Sequence, residues 1–178
     1  MKNKKLSYIK PSVKFMTTVL VVILFLSNST TFAQTGKPNF SGTWALNESK
    51  STPTEGGFRM GASMMAITQD GNNLSNESTR KNQNGEDVKS TSKFTLDGKE
   101  CVNPAGFGNS TRTSVLTWSA DGKSLNFAHA MKFDRNGETT EFKSTESWKI
   151  NDDKTLSIET VMNFQGEERK ITNIYDKK

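Results

Sequence analysis

The stretch SLNFAHAMKFDRNGETTEFKSTESWKI, residues 124–150, decides the fold. The dipeptide Asn136-Gly137 at its centre suits a two-residue hairpin loop, which makes Arg135 and Glu138 direct partners with side chains on one face. Counting outward in steps of two gathers Leu125, Phe127, His129, Met131 and Phe133 on the first arm, and Thr140, Phe142, Glu146, Trp148 and Ile150 on the second. The alternate positions include Asn126, Lys132, Glu141, Lys143 and Lys149. Apolar and polar side chains alternating about a turn are the mark of a β-hairpin with one buried face.

The same phase extends to both sides. Before this hairpin, the loop Asp121-Gly122 pairs Ala120 with Lys123, which sets Leu116 and Trp118 inward on the strand Thr111 to Trp118. After it, a three-residue loop near Asp152 keeps Leu156, Ile158, Met162 and Phe164 inward. The loop Gln165-Gly166 then places Arg169, Ile171, Asn173 and Tyr175 on that face. Five consecutive strands therefore phase together. In the first half Phe40, Trp44 and Leu46 alternate, as do Val88, Phe94 and Leu96. Leu74 to Lys81 phases poorly against the turn that follows, which points to a bulge or an edge position. Residues 48–62 hold Pro53, Gly56, Gly57 and Gly61, and read as a flap or short helical cover; residues 100–110 read as a second irregular loop. The expectation is an all-β domain, an antiparallel up-and-down meander of 8–10 strands closed into a barrel, because closure removes the exposed edges.

The chain has 178 residues, a formal charge of +5 and one cysteine, which fits one domain. The charge excess sits in residues 1–33, where Lys2, Lys4, Lys5, Lys10 and Lys14 meet no acid; the remainder carries 19 basic and 19 acidic side chains. The apolar run Val19 to Leu26 and the small, polar stretch up to Ala33 complete the layout of a secretory signal. Residues 1–33 are thus expected to be a signal peptide cleaved after Ala33, residues 34–178 the domain, and the protein exported to the periplasm or the outside medium. The apolar run is shorter than the roughly 20 residues of a membrane span, so no stable membrane insertion is expected after cleavage. A neutral domain without a dense basic cluster speaks against nucleic-acid binding. Cys101, lacking a partner, reads as a half-buried small apolar residue.

The segment Phe40-Ser41-Gly42-Thr43-Trp44 places a Gly-x-Trp on the first strand of the meander, and in this it resembles the lipocalin-like (calycin) barrels. The closer likeness is to small exported bacterial proteins of the lipocalin-like type, in Ser41-Gly42-Thr43-Trp44-Ala45-Leu46-Asn47, Gln69-Asp70-Gly71-Asn72, Leu96-Asp97-Gly98-Lys99-Glu100 and Trp118-Ser119-Ala120-Asp121-Gly122-Lys123. The resemblance implies a barrel whose interior binds a small hydrophobic or amphipathic molecule.

Six polar residues fall on the inward face: Arg112, His129, Glu146, Arg169, Asn173 and Tyr175. They have two readings. One is an internal set of ion pairs and hydrogen bonds, with Arg112 and Glu146 as a pair. The other is the polar end of a ligand cavity, with Arg112 and Arg169 on an anionic head and Tyr175 adding a hydroxyl. His129, the only histidine, reads as a core residue bonded to Glu146 or to a serine such as Ser144. One His and one Cys make no metal set, no serine sits in a nucleophile-elbow context, and neither enzymatic activity nor a cofactor is expected. The competing function is a non-enzymatic secreted or envelope interaction or inhibitor protein, with a packed barrel and functional loops.

Overall fold

The described residues form ten strands. The computed structural model describes residues 36–53, 61–82, 84–105, 110–135, 138–152, 154–164 and 166–178; the signal-peptide reading and residues 54–60 of the expected flap lie outside the described residues. The strands are β1 (Gly42–Leu46), β2 (Met64–Asp70), β3 (Asn73–Lys81), β4 (Asp87–Thr95), β5 (Glu100–Pro104), β6 (Thr111–Trp118), β7 (Ser124–Arg135), β8 (Glu138–Asp152), β9 (Thr155–Phe164) and β10 (Glu167–Lys177). Their order in the sheet is β4-β3-β2-β1-β10-β9-β8-β7-β6-β5, with antiparallel neighbours. The pairing of β1 with β10 rolls the meander into a nearly closed barrel. Among the described residues the only helical element is the 3-10 turn Glu48–Lys50, capped by the Asn47 side chain. None of the described helices is long and apolar enough to cross a membrane.

The strands at the ends of the sheet, β4 and β5, meet without a ladder. Side chains of β5 stand in for the missing backbone partner: the Asn103 carboxamide accepts the Lys93 N–H at 2.7 Å and donates to the Lys93 carbonyl at 2.9 Å. One turn of pleat away, Cys101 Sγ accepts the Thr95 N–H at 3.2 Å. Segment 100–110 therefore differs from its reading as an irregular loop, because β5 is a paired strand against β6 from Glu100 to Pro104. Pro104 ends this edge strand, a position where an absent N–H is tolerated.

Register follows the turn arithmetic from β6 to β8 and from β9 to β10. Leu116 faces Phe127, Arg135 faces Glu138, and Phe164 faces Glu167. Two details differ. The β8–β9 phase is kept by a bulge between Ile150 and Asp152 instead of a three-residue loop. Strand β3 is neither bulged nor at an edge: it pairs in unbroken register with β2 and β4. Its apparent misphasing came from the following turn, which is closed by Asn82 and Glu86 around three residues and so shifts the phase by one.

The core fills one half of the barrel. Phe40, Trp44, Leu116, Leu125 and Leu156 have no exposed surface. Around Phe40 the Trp118 and Trp148 rings lie at 6.1 and 5.9 Å, and Phe127 packs against Trp148 at 4.6 Å and Phe94 at 5.5 Å. Such offset and edge-on contacts are the preferred geometry of aromatic pairs. The Gly-x-Trp motif gains its meaning here. Gly42 sits at φ 145°, which disfavours any side chain, and the chain then buries Trp44 with its indole N–H on the Phe40 carbonyl at 2.9 Å. Toward the opposite rim burial falls off: Met131, Phe133, Phe142 and Ile171 occupy inward positions yet are only partly buried.

Candidate functional site

Above the aromatic floor, the inward register of β6, β7 and β8 brings three of the six expected residues together. Ser114 of β6 lies directly opposite His129 of β7. On β8, Ser144 faces His129 and Glu146 faces Phe127, so Glu146 is the diagonal neighbour of the imidazole. The Ser114 Oγ to His129 Nδ1 distance is 2.8 Å, and His129 Nε2 stands 3.7 Å from Glu146 Oε1. Glu146 accepts the Trp148 indole N–H on its other oxygen at 2.9 Å. If the Ser114 hydroxyl donates to Nδ1, the ring proton is on Nε2 and faces the carboxylate, the arrangement with the best charge complementarity.

Burial raises the pKa of Glu146, but the His129 imidazole, the Trp148 N–H and the Arg112 charge outweigh it and hold the carboxyl at about 2. The pair expected between Arg112 and Glu146 is not a direct one. Arg112 influences Glu146 through space, while its Nη2 reaches across the seam to Ser92 Oγ of β4 at 3.5 Å. Burial pushes the Arg112 pKa down, the Glu146 charge opposes that, and the Arg80 charge adds to it. The guanidinium remains charged at neutral pH.

The other three residues are placed differently. Asn173 and Tyr175 are buried and lie against Gly61, where a Cβ would come within 2.8 Å of Asn173 Nδ2 and 3.2 Å of the Tyr175 hydroxyl. Arg169 has the inward register, opposite Met162, but is exposed near the β9–β10 turn. The charges that act on Arg112 are those of Glu146 and Arg80. The serine bonded to His129 is Ser114 and not Ser144; the hairpin sum that pairs Ala120 with Lys123 also pairs Ser114 with His129, so this partner was accessible from sequence. Arg80 and Ser92 were hidden by the misphased β3–β4 turn.

Among the described residues, Arg112 Nε, His129 Nε2 and Asn76 Oδ1 are buried without a hydrogen-bond partner. Groups of this kind are rare in a packed interior. The Ser114, His129 and Glu146 series has the residue types of a catalytic triad, but Ser114 has no exposed surface and lies mid-strand. No group of three or more potential metal ligands occurs among the described residues. No protein-family model, curated protein or solved structure matches the chain.

Proposed function

We propose that this chain is an exported barrel of the lipocalin-like type, residues 1–33 being its signal peptide, and that it binds a small hydrophobic or amphipathic molecule in the half of its interior beyond the aromatic floor. The observation that carries this reading is the change in the lining at mid-height. Below it the aromatic side chains fill the barrel; at that level stand buried polar atoms without partners, and beyond it inward Met131, Phe133, Phe142 and Ile171 keep exposed surface. An apolar wall with a few convergent polar groups is the usual make-up of a ligand site. Buried polar groups left without partners cost stability, which an incoming ligand able to pair with them would recover.

The test is a fluorescence titration with 8-anilinonaphthalene-1-sulfonate, a fluorescent amphipathic probe. We expect one saturable site with energy transfer from Trp148, an affinity lowered at least about tenfold by Phe142→Asp, and no change on Lys143→Ala, which lies on the outward face. Absence of saturable binding would overturn the reading in favour of a packed barrel that acts through its loops.

A further inference from the structure

The wall formed by β3, β4 and β6 has a chemistry of its own. Strand β3 pairs Ser78 with Ser90 and Arg80 with Val88, which puts Ser78, Ser90, Arg80 and Ser92 on the inward face together with Leu74 and Phe94. The Ser78 and Ser90 hydroxyls are 2.9 Å apart. Arg112 comes from the other side of the seam and reaches Ser92 at 3.5 Å, with its Nε buried and without a partner. The Arg80 charge acts on Arg112 and pushes its pKa down.

Two guanidinium groups, three hydroxyls and the Asn76 carboxamide share one face, so the wall carries two positive charges beside groups that both donate and accept. The Glu146 carboxylate is engaged by Trp148 and faces His129, and among the described contacts it makes no direct ion pair with Arg112. A buried guanidinium whose Nε lacks a partner is costly, and an anion seated between Arg112 and the exposed Arg80 at the rim would relieve it. Guanidinium groups match the planar fork of a carboxylate and the tetrahedral face of a phosphate, and hydroxyls complete such a shell.

Resting on the ligand-binding reading above, we propose that this wall is an oxyanion subsite: Arg80 and Arg112, with Ser78, Ser90 and Ser92, receive a carboxylate or phosphate group. The Arg112 side faces the interior, and Arg80 guards the rim. An amphipathic acid would place its head on this wall and its apolar part against Met131 and Phe142.

The experiment is calorimetric titration of the mature protein with dodecanoate, dodecyl phosphate and dodecanol, each below its micelle concentration, and with inorganic phosphate. Dodecanoate or dodecyl phosphate should bind at least about tenfold more tightly than dodecanol. Arg80→Gln and Arg112→Gln should each bring the charged probes toward the dodecanol value and leave dodecanol unchanged. Arg80 is exposed, so its replacement tests the wall even if Arg112→Gln unfolds the barrel. Arg169→Gln should leave every probe unchanged. Inorganic phosphate that displaces dodecanoate would mark a site for a free oxyanion, and phosphate without effect a site for an amphipath's head group; either agrees with the wall. Equal binding of charged and neutral chains, or a preference that survives Arg80→Gln, would overturn the subsite while leaving a ligand-binding barrel intact. Failure of all four probes would overturn both.

Discussion

Glu146 is the residue at which folding and the candidate site meet. Its carboxyl is held at about 2 against an ordinary 4.5, so folding favours the ionised form. The resulting stability is complete above about pH 4.5 and is lost as the pH falls through about 2; a shift of this size corresponds to on the order of 3 kcal/mol. Glu146→Gln should therefore flatten the acid limb of the stability curve between those two values. Urea unfolding of both proteins along that range measures it, and parallel curves would show that the carboxylate is not so held. The sequence placed Glu146 and His129 on one face through hairpin parity alone. It could not assign the Trp148 N–H to Glu146, because both residues lie on the same strand two positions apart and only the side-chain rotamers bring them together. Arg112 was legible as inward, whereas its neighbours on β4 depended on a turn length that Asn84-Gly85 disguised.

At the scale of the element, the seam between β4 and β5 is the unusual feature. A ladder spreads its hydrogen bonds over many residues, but here one carboxamide carries both bonds to Lys93. Asn103→Ala should leave that N–H and carbonyl without partners and destabilise the barrel by about 1–3 kcal/mol, with faster amide exchange at Lys93 than at the laddered Val115. Val102→Ala, on the neighbouring exposed position, should stay within about 0.5 kcal/mol. Equal effects, measured by chemical unfolding with hydrogen exchange, would mean that the side-chain bridge contributes nothing beyond the strand itself. Strand existence and phase were legible from β6 to β10 because two-residue loops transmit parity from one strand to the next. Phase was not legible where a third loop residue resets the parity, as at Asn82 to Glu86, and at Ile150 to Asp152 the phase was legible but not the bulge that keeps it. Segment 100–110 was read as a loop because Pro104 and the small residues after it outweigh five residues of weak alternation; pairing with β6 overrides that local preference.

For the whole molecule, the buried aromatic core and the partly buried inward positions lie at different levels of the barrel. Aromatic side chains from β1, β4, β6, β7 and β8 fill one half and supply the burial that holds a one-cysteine domain together without a disulfide. The other half carries the partnerless polar atoms and the partly exposed apolar lining. The turn dipeptides and the alternation between them made the meander legible, but they could not indicate how far the filling extends, since volume depends on how ten strands close and not on any one of them. The most direct measurement is methyl-resolved NMR of the protein titrated with dodecanoate. A ligand seated beyond the aromatic floor should shift Met131, Met162 and Ile171 in a saturable, one-to-one manner while Leu74, Leu125 and Leu156 stay in place. Shifts confined to the aromatic floor or to outward methyls, or no shifts at all, would contradict it.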